Sequence, residues 1–254
     1  MAFIDILALE EATLLFAAVL IGYAGILAFF GMRRQDAASV SSTIKGTAAP
    51  LGALGAVATF FGLWQEIVWP LPGSYNIFFG DVYLLFGVTM VLAAVSVAYG
   101  LKLQYVGLFA LVAGGTTIAY GWNGYVLGMT KDPLETFLLY GAFGLAGILA
   151  MPATLAVDHF FAHAATVAAP AASSVSTSAS RPAFSLRGAT RAVQPITPGA
   201  TDTAEPETSV PIRVRLPVYI NVAMVVFVVS LALAGIAALF YLDSTLPAHL
   251  AKAP

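Results

Sequence analysis

The sequence predicts an all-α membrane protein: a bundle of about six transmembrane helices with both termini extracytoplasmic. Three observations predict it. Hydrophobic residues make up 59% of the chain and charged residues only 9%, against about 25% charged in soluble domains. Mean hydropathy is +0.89, more apolar surface than a water-soluble fold can hide, so lipid is the required solvent. Six stretches also reach the ~20 mostly apolar residues that a spanning helix needs.

Span one is Ala12–Gly31, which carries no charge. The preceding MAFIDILALEEATLL has three acids and no Lys or Arg. It lacks the positive start of a cleaved signal peptide and reads as retained. Span two, Ala48–Trp69, opens with Pro50 in its first turn and admits Gln65 and Glu66 only near its end. Span three, Val82–Leu101, follows Asp81, placed where a carboxylate caps a helix N-terminus. Span four, Val106–Tyr125, follows almost at once, so three and four form an antiparallel hairpin. Thr136–Val157 and Pro217–Leu242 complete the set, with Asp132 before Pro133 opening span five.

Basic residues orient the bundle. Arg33, Arg34 and Lys45 lie between spans one and two, and Lys102 between three and four. Arg181, Arg187, Arg191, Arg213 and Arg215 lie between five and six. The alternate side holds Lys131 and Lys252. The positive-inside rule assigns the richer side to the cytoplasm. Residues 1–164 then form a five-helix transmembrane bundle. Residues 165–215 form an Ala/Ser/Thr/Pro-rich cytoplasmic loop, expected to be disordered because it has too little apolar surface to offset its ordering entropy. Residues 216–254 supply the sixth helix and a short outer tail.

Several classes of chemistry are excluded or disfavoured. The chain has no cysteine, which removes disulfides, thiolate catalysis, Cys-ligated zinc and iron–sulfur clusters. No Lys or His lies mid-span for a retinal Schiff base or a haem ligand, and no Asp or Glu for an intramembrane proton or sodium relay. The net charge of −2 offers no basic face for nucleic acid. No cofactor is expected.

Two constellations remain. On the outer side, Trp64, Gln65, Glu66, Trp69, Tyr75, Asn76 and Asp81 approach Tyr120, Trp122, Asn123, Tyr125 and Lys131. Most of this set reads as an interfacial aromatic belt. The functional alternative is an outer pocket of Glu66, Asp81, Trp122, Asn123 and Lys131, with Lys131 as partner to a Glu66 carboxylate that is costly near an apolar helix end. On the inner side, His159 and His163 are four residues apart on one helical face, a spacing suited to Zn²⁺ or Cu²⁺. Two ligands fall short of a site, and polar helix flanks account for both. Small residues predict close helix packing: Gly141, Gly144 and Gly147 in span five, Gly124 and Gly128 after span four, and Ala18 and Gly22 in span one. Pro152 breaks a backbone bond to residue 148, whose carbonyl Thr154 or a neighbouring helix would take up.

Tyr75-Asn76 with Gly80-Asp81, the run Leu127-Gly128-Met129-Thr130-Lys131, and Gly144-Leu145-Ala146-Gly147 with Pro152 carry a resemblance. This part of the chain resembles a domain-of-unknown-function family of multi-pass membrane proteins of archaea and some bacteria. The resemblance implies a location in the cell membrane and no catalytic role. The expected function is a non-enzymatic accessory, assembly or structural component of a membrane complex. It would sit in the lipid bilayer and contact other membrane subunits or its own copies through glycine-rich faces. A channel or facilitator for a small neutral solute is the alternative, and a membrane metal protein or enzyme the third.

Overall fold

A computed structural model describes residues 6–175 and 218–250. Among these, the elements are seven α-helices and no strand: α1 (Ile6–Arg33), α2 (Ala37–Gly46), α3 (Ala48–Val68), α4 (Ser74–Tyr99), α5 (Gln104–Val126), α6 (Pro133–Val175) and α7 (Val218–Leu250). Six segments are long and apolar enough to cross a membrane, α2 and α3 together forming one of them. Their outward faces carry large apolar side chains such as Phe16, Phe60, Leu108 and Phe240. Helices apolar all round are what a hydrocarbon surrounding selects.

The helices pack as α3 with α4, α5 with α6, α1 with α7, and α6 with α7. α1, α4, α5, α6 and α7 surround a central chamber, while α3 reaches it only at Leu51. Glycines make the two tightest seams. On the α3–α4 seam, a Cβ at Gly62 would lie 2.8 Å from the Leu84 Cα, and one at Gly55 2.7 Å from the Val91 backbone nitrogen. On the α5–α6 seam, a Cβ at Gly147 would lie 2.8 Å from the Ala110 carbonyl oxygen. Only the absence of a side chain permits these approaches.

The packing corrects part of the glycine expectation. Gly144 and Gly147 do face α5, but Gly141 and Gly22 have nothing within 4 Å of where a Cβ would stand. Gly124 lies against the Phe78 ring, whereas Gly128 sits at φ +59° in the turn after α5. Gly128 serves that turn rather than a helix face.

One end of the bundle is basic. The expected connection there folds instead as α2, capped by Asp36, whose side chain accepts from the Ser39 backbone N–H at 2.9 Å. Val40 of α2 is fully buried with Met32, Phe160 and Met224. Asp158 of α6 accepts the backbone N–H groups of Leu103 at 3.1 Å and Gln104 at 2.8 Å, so it caps α5.

The opposite end is acidic and departs further from expectation. α1 starts at Ile6, so Glu10 and Glu11 lie inside the helix and are buried. α4 starts at Ser74, so Asp81 lies about two turns inside it and is no cap. α6 continues through Pro152 to Val175, into the first part of the expected loop. The rest of that loop, residues 176–215, lies outside the described residues. Thr154 Oγ1 donates toward the carbonyls of Ala150 and Met151, at 2.9 and 3.0 Å, and not toward residue 148.

Candidate functional site

The central chamber has a volume of about 290 Å³. Along α1 its lining runs from Leu7 and Glu10 to Ala28, which at 1.5 Å per residue is on the order of 30 Å, the thickness of a bilayer's hydrocarbon core. Ala17, Ile21, Phe86, Met90, Ala113, Phe143 and Leu231 line the middle. Polar groups on the walls are few: hydroxyls of Thr47, Thr89, Thr117, Thr136 and Thr154, two tyrosines, and the paired Glu10 and Glu11 at the acidic end. The threonine hydroxyls are engaged locally. Thr89 and Thr117 donate to carbonyls one turn back on their own helices, at 2.7 and 2.9 Å. The walls thus present an apolar surface with a carboxylate pair at one end.

That end is closed by a polar network spanning four helices. Gln65 Nε2 donates to Glu10 Oε1, linking α3 to α1. Asn76, fully buried, donates to the Gln65 carbonyl at 2.8 Å, tying the end of α3 to the start of α4. The same carbonyl accepts the Trp69 N–H at 2.9 Å, and Trp69 ends α3 in the left-handed conformation at φ 53°. Tyr83 donates to Thr13 Oγ1 at 3.1 Å. Tyr140 donates to the Phe78 carbonyl at 2.9 Å while its ring stacks on Phe78 with centroids 4.8 Å apart.

On the far side of Gln65 from Glu10 lies a second carboxylate pair. The Glu66 and Asp81 carboxyl groups lie within hydrogen-bond reach of each other, and Tyr120 donates to Asp81 Oδ2. Glu66 Oε1 and Gln65 Oε1 are both buried without a hydrogen-bond partner. Both converge on Gly80, where a Cβ would lie 2.5 Å from the former and 3.0 Å from the latter.

The predicted outer pocket is only partly assembled. Glu66 and Asp81 meet. Trp122 instead packs against Phe137 and Tyr125, at 5.8 and 6.0 Å between ring centroids. Asn123 donates to the Ala119 carbonyl at 2.8 Å on an exposed face. Lys131 is exposed and gives Glu66 Oε1 no bond. At the basic end, His159 is exposed and His163 half-buried on α6. Among the described residues, no group of three or more His, Cys, Asp or Glu side chains is arranged to hold a metal. Asp158, next to His159, is turned to α5 as its cap.

Glu10, Glu11, Thr13 and Tyr83 were missed by the sequence reading. The available signal was Glu10-Glu11 set directly against an apolar run with no basic residue nearby, a pair that can dip into the bundle only if partnered.

No curated protein and no solved structure matches the chain. Residues 1–173 match the family DUF981, described as a protein of unknown function. The match spans more than half of the chain and agrees with the resemblance read from Tyr75 to Pro152. The chain therefore belongs to DUF981, a family of unknown function, and its described residues include six helical segments long and apolar enough to cross a membrane.

Proposed function

We propose that the protein is a non-enzymatic membrane component whose central chamber holds one amphiphile. The apolar chain would lie along the bundle, with a hydrogen-bond-donating head at Glu10 and Glu11. The chamber itself carries this reading. Left empty, the apolar side chains along its middle would have no atoms to pack against on that side. Water does not relieve this along the apolar middle, where it finds few polar partners. An apolar chain does, and binding sites for small molecules have this character, mostly apolar walls with a few placed polar groups. An accessory or structural role in a larger membrane complex is compatible with such an occupant. A pathway for a polar solute is less so, since these walls offer a solute few bonds.

The reading is tested by extracting the protein, purified in mild detergent, with organic solvent and analysing the extract by mass spectrometry. The expected outcome is one predominant amphiphile near equimolar with the chain. An extract matching the bulk membrane lipids in proportion would contradict it.

A further inference from the structure

We propose that Gln65, Glu66 and Asp81 form a binding site for a hard divalent cation of the Ca²⁺ class, seated over Gly80 at the acidic end of the bundle. The proposal does not depend on what fills the chamber, since the site lies on the opposite side of Gln65 from Glu10.

Two observations support it independently. The first is the pairing of two carboxylates, Glu66 and Asp81, with Tyr120 donating its single hydroxyl hydrogen to Asp81 Oδ2. Like charges this close disfavour each other unless a proton or a cation lies between them. The second is the amide. Gln65 is 0% exposed, and its Nε2 is committed to Glu10, which turns Oε1 away from the chamber. That oxygen and Glu66 Oε1 are both buried acceptors with no donor, and both lie against the bare Cα of Gly80. Two acceptors cannot satisfy one another, and a buried acceptor left unpaired is costly. A cation satisfies both at once.

The ligand set selects the ion. All the available donors are oxygens: two carboxylates and an amide carbonyl. Ca²⁺ takes six to eight such ligands in flexible geometry and completes its shell with water, whereas soft metals prefer sulfur or imidazole. Two negative charges match one divalent ion. Gly80 completes the cradle, because an alanine methyl there would stand 2.5 Å from Glu66 Oε1.

The test is calorimetric titration of the full chain in detergent, stripped with chelator, with CaCl₂ at neutral pH. One saturable site is expected, with Kd on the order of 10⁻⁴–10⁻³ M, the range of weak oxygen-ligand sites. Saturating Ca²⁺ is expected to raise the melting temperature by about 3 °C. Glu66→Gln and Asp81→Asn should each weaken binding at least ~10-fold while circular dichroism remains helical. Glu135→Gln, at an exposed carboxylate, should leave binding unchanged. Where a variant does not fold, Tb³⁺ luminescence sensitised by the neighbouring aromatic rings of the wild-type chain, and displaced by Ca²⁺, gives the same answer. Absence of a saturable isotherm overturns the proposal, as does unchanged affinity in Glu66→Gln. So does a melting temperature that responds to acidification but not to Ca²⁺, which would assign the pair to a shared proton.

Discussion

Gln65 is fully buried and held on two sides, its amide nitrogen on Glu10 and its backbone carbonyl under Asn76 and Trp69, while its Oε1 lies against Gly80. Leucine would fill the space but leave the Glu10 carboxylate buried without its donor. Gln65→Leu is therefore expected to destabilise the fold by about 2–4 kcal/mol, read as a drop in thermal or denaturant midpoint. Asp158 offers a second case. Removing its carboxylate uncaps α5, and Asp158→Ala should cost about 1–2 kcal/mol in the same assay. At this scale the sequence was half legible. Gln65, Glu66 and Asp81 stood out because polar groups near apolar helix ends need a reason. Glu10 did not: the acid pair against an apolar run was the local signal, but its partner Gln65 is supplied only by the docking of α1 on α3. Asp81 read as a cap because the acid preceded an unbroken apolar run. Yet the helix starts earlier, at Ser74, where Gly73 breaks the chain at φ 57°.

Among the elements, the apolar spans were readable because length and hydropathy alone define a membrane helix. Their ends were not, since interfacial residues such as Ile6–Glu11 join a helix without raising its hydropathy. α2 was missed for a related reason. Its sequence, AASVSSTIKG, is rich in serine and β-branched residues that are weak helix formers. It is held by the Asp36 cap and by the burial of Val40. The glycine seams separate tight contacts from incidental ones, and so yield an asymmetric prediction. Gly147→Val and Gly62→Val should each cost more than ~2 kcal/mol, because neither backbone can retreat. Gly141→Ala meets nothing and should be neutral or stabilising by up to ~1 kcal/mol, as for any helix-interior glycine. Equal losses at Gly141 and Gly147 in a thermal unfolding series would contradict the α5–α6 seam.

Over the whole molecule, the all-α class and the number of spans followed from composition, whereas the chamber could not. Helices apolar all round give no periodicity to say which face turns inward, so the cavity emerges only when five helices are assembled. From the charge pattern, the acidic end is expected on the extracytoplasmic side. The cysteine-free chain makes this measurable. In intact cells a membrane-impermeant maleimide should label a cysteine at exposed Ser74 and spare one at exposed Lys102. The reverse pattern would invert the bundle. Occupancy of the chamber by one amphiphile is read out by native mass spectrometry of the purified chain beside two variants. Ala113→Phe fills the chamber, and Leu108→Phe alters only the outward face of the same helix. A single bound amphiphile is expected on the wild-type and Leu108→Phe chains, and its loss from Ala113→Phe. Equal retention by all three would show the amphiphile to be on the outside and would contradict the claim.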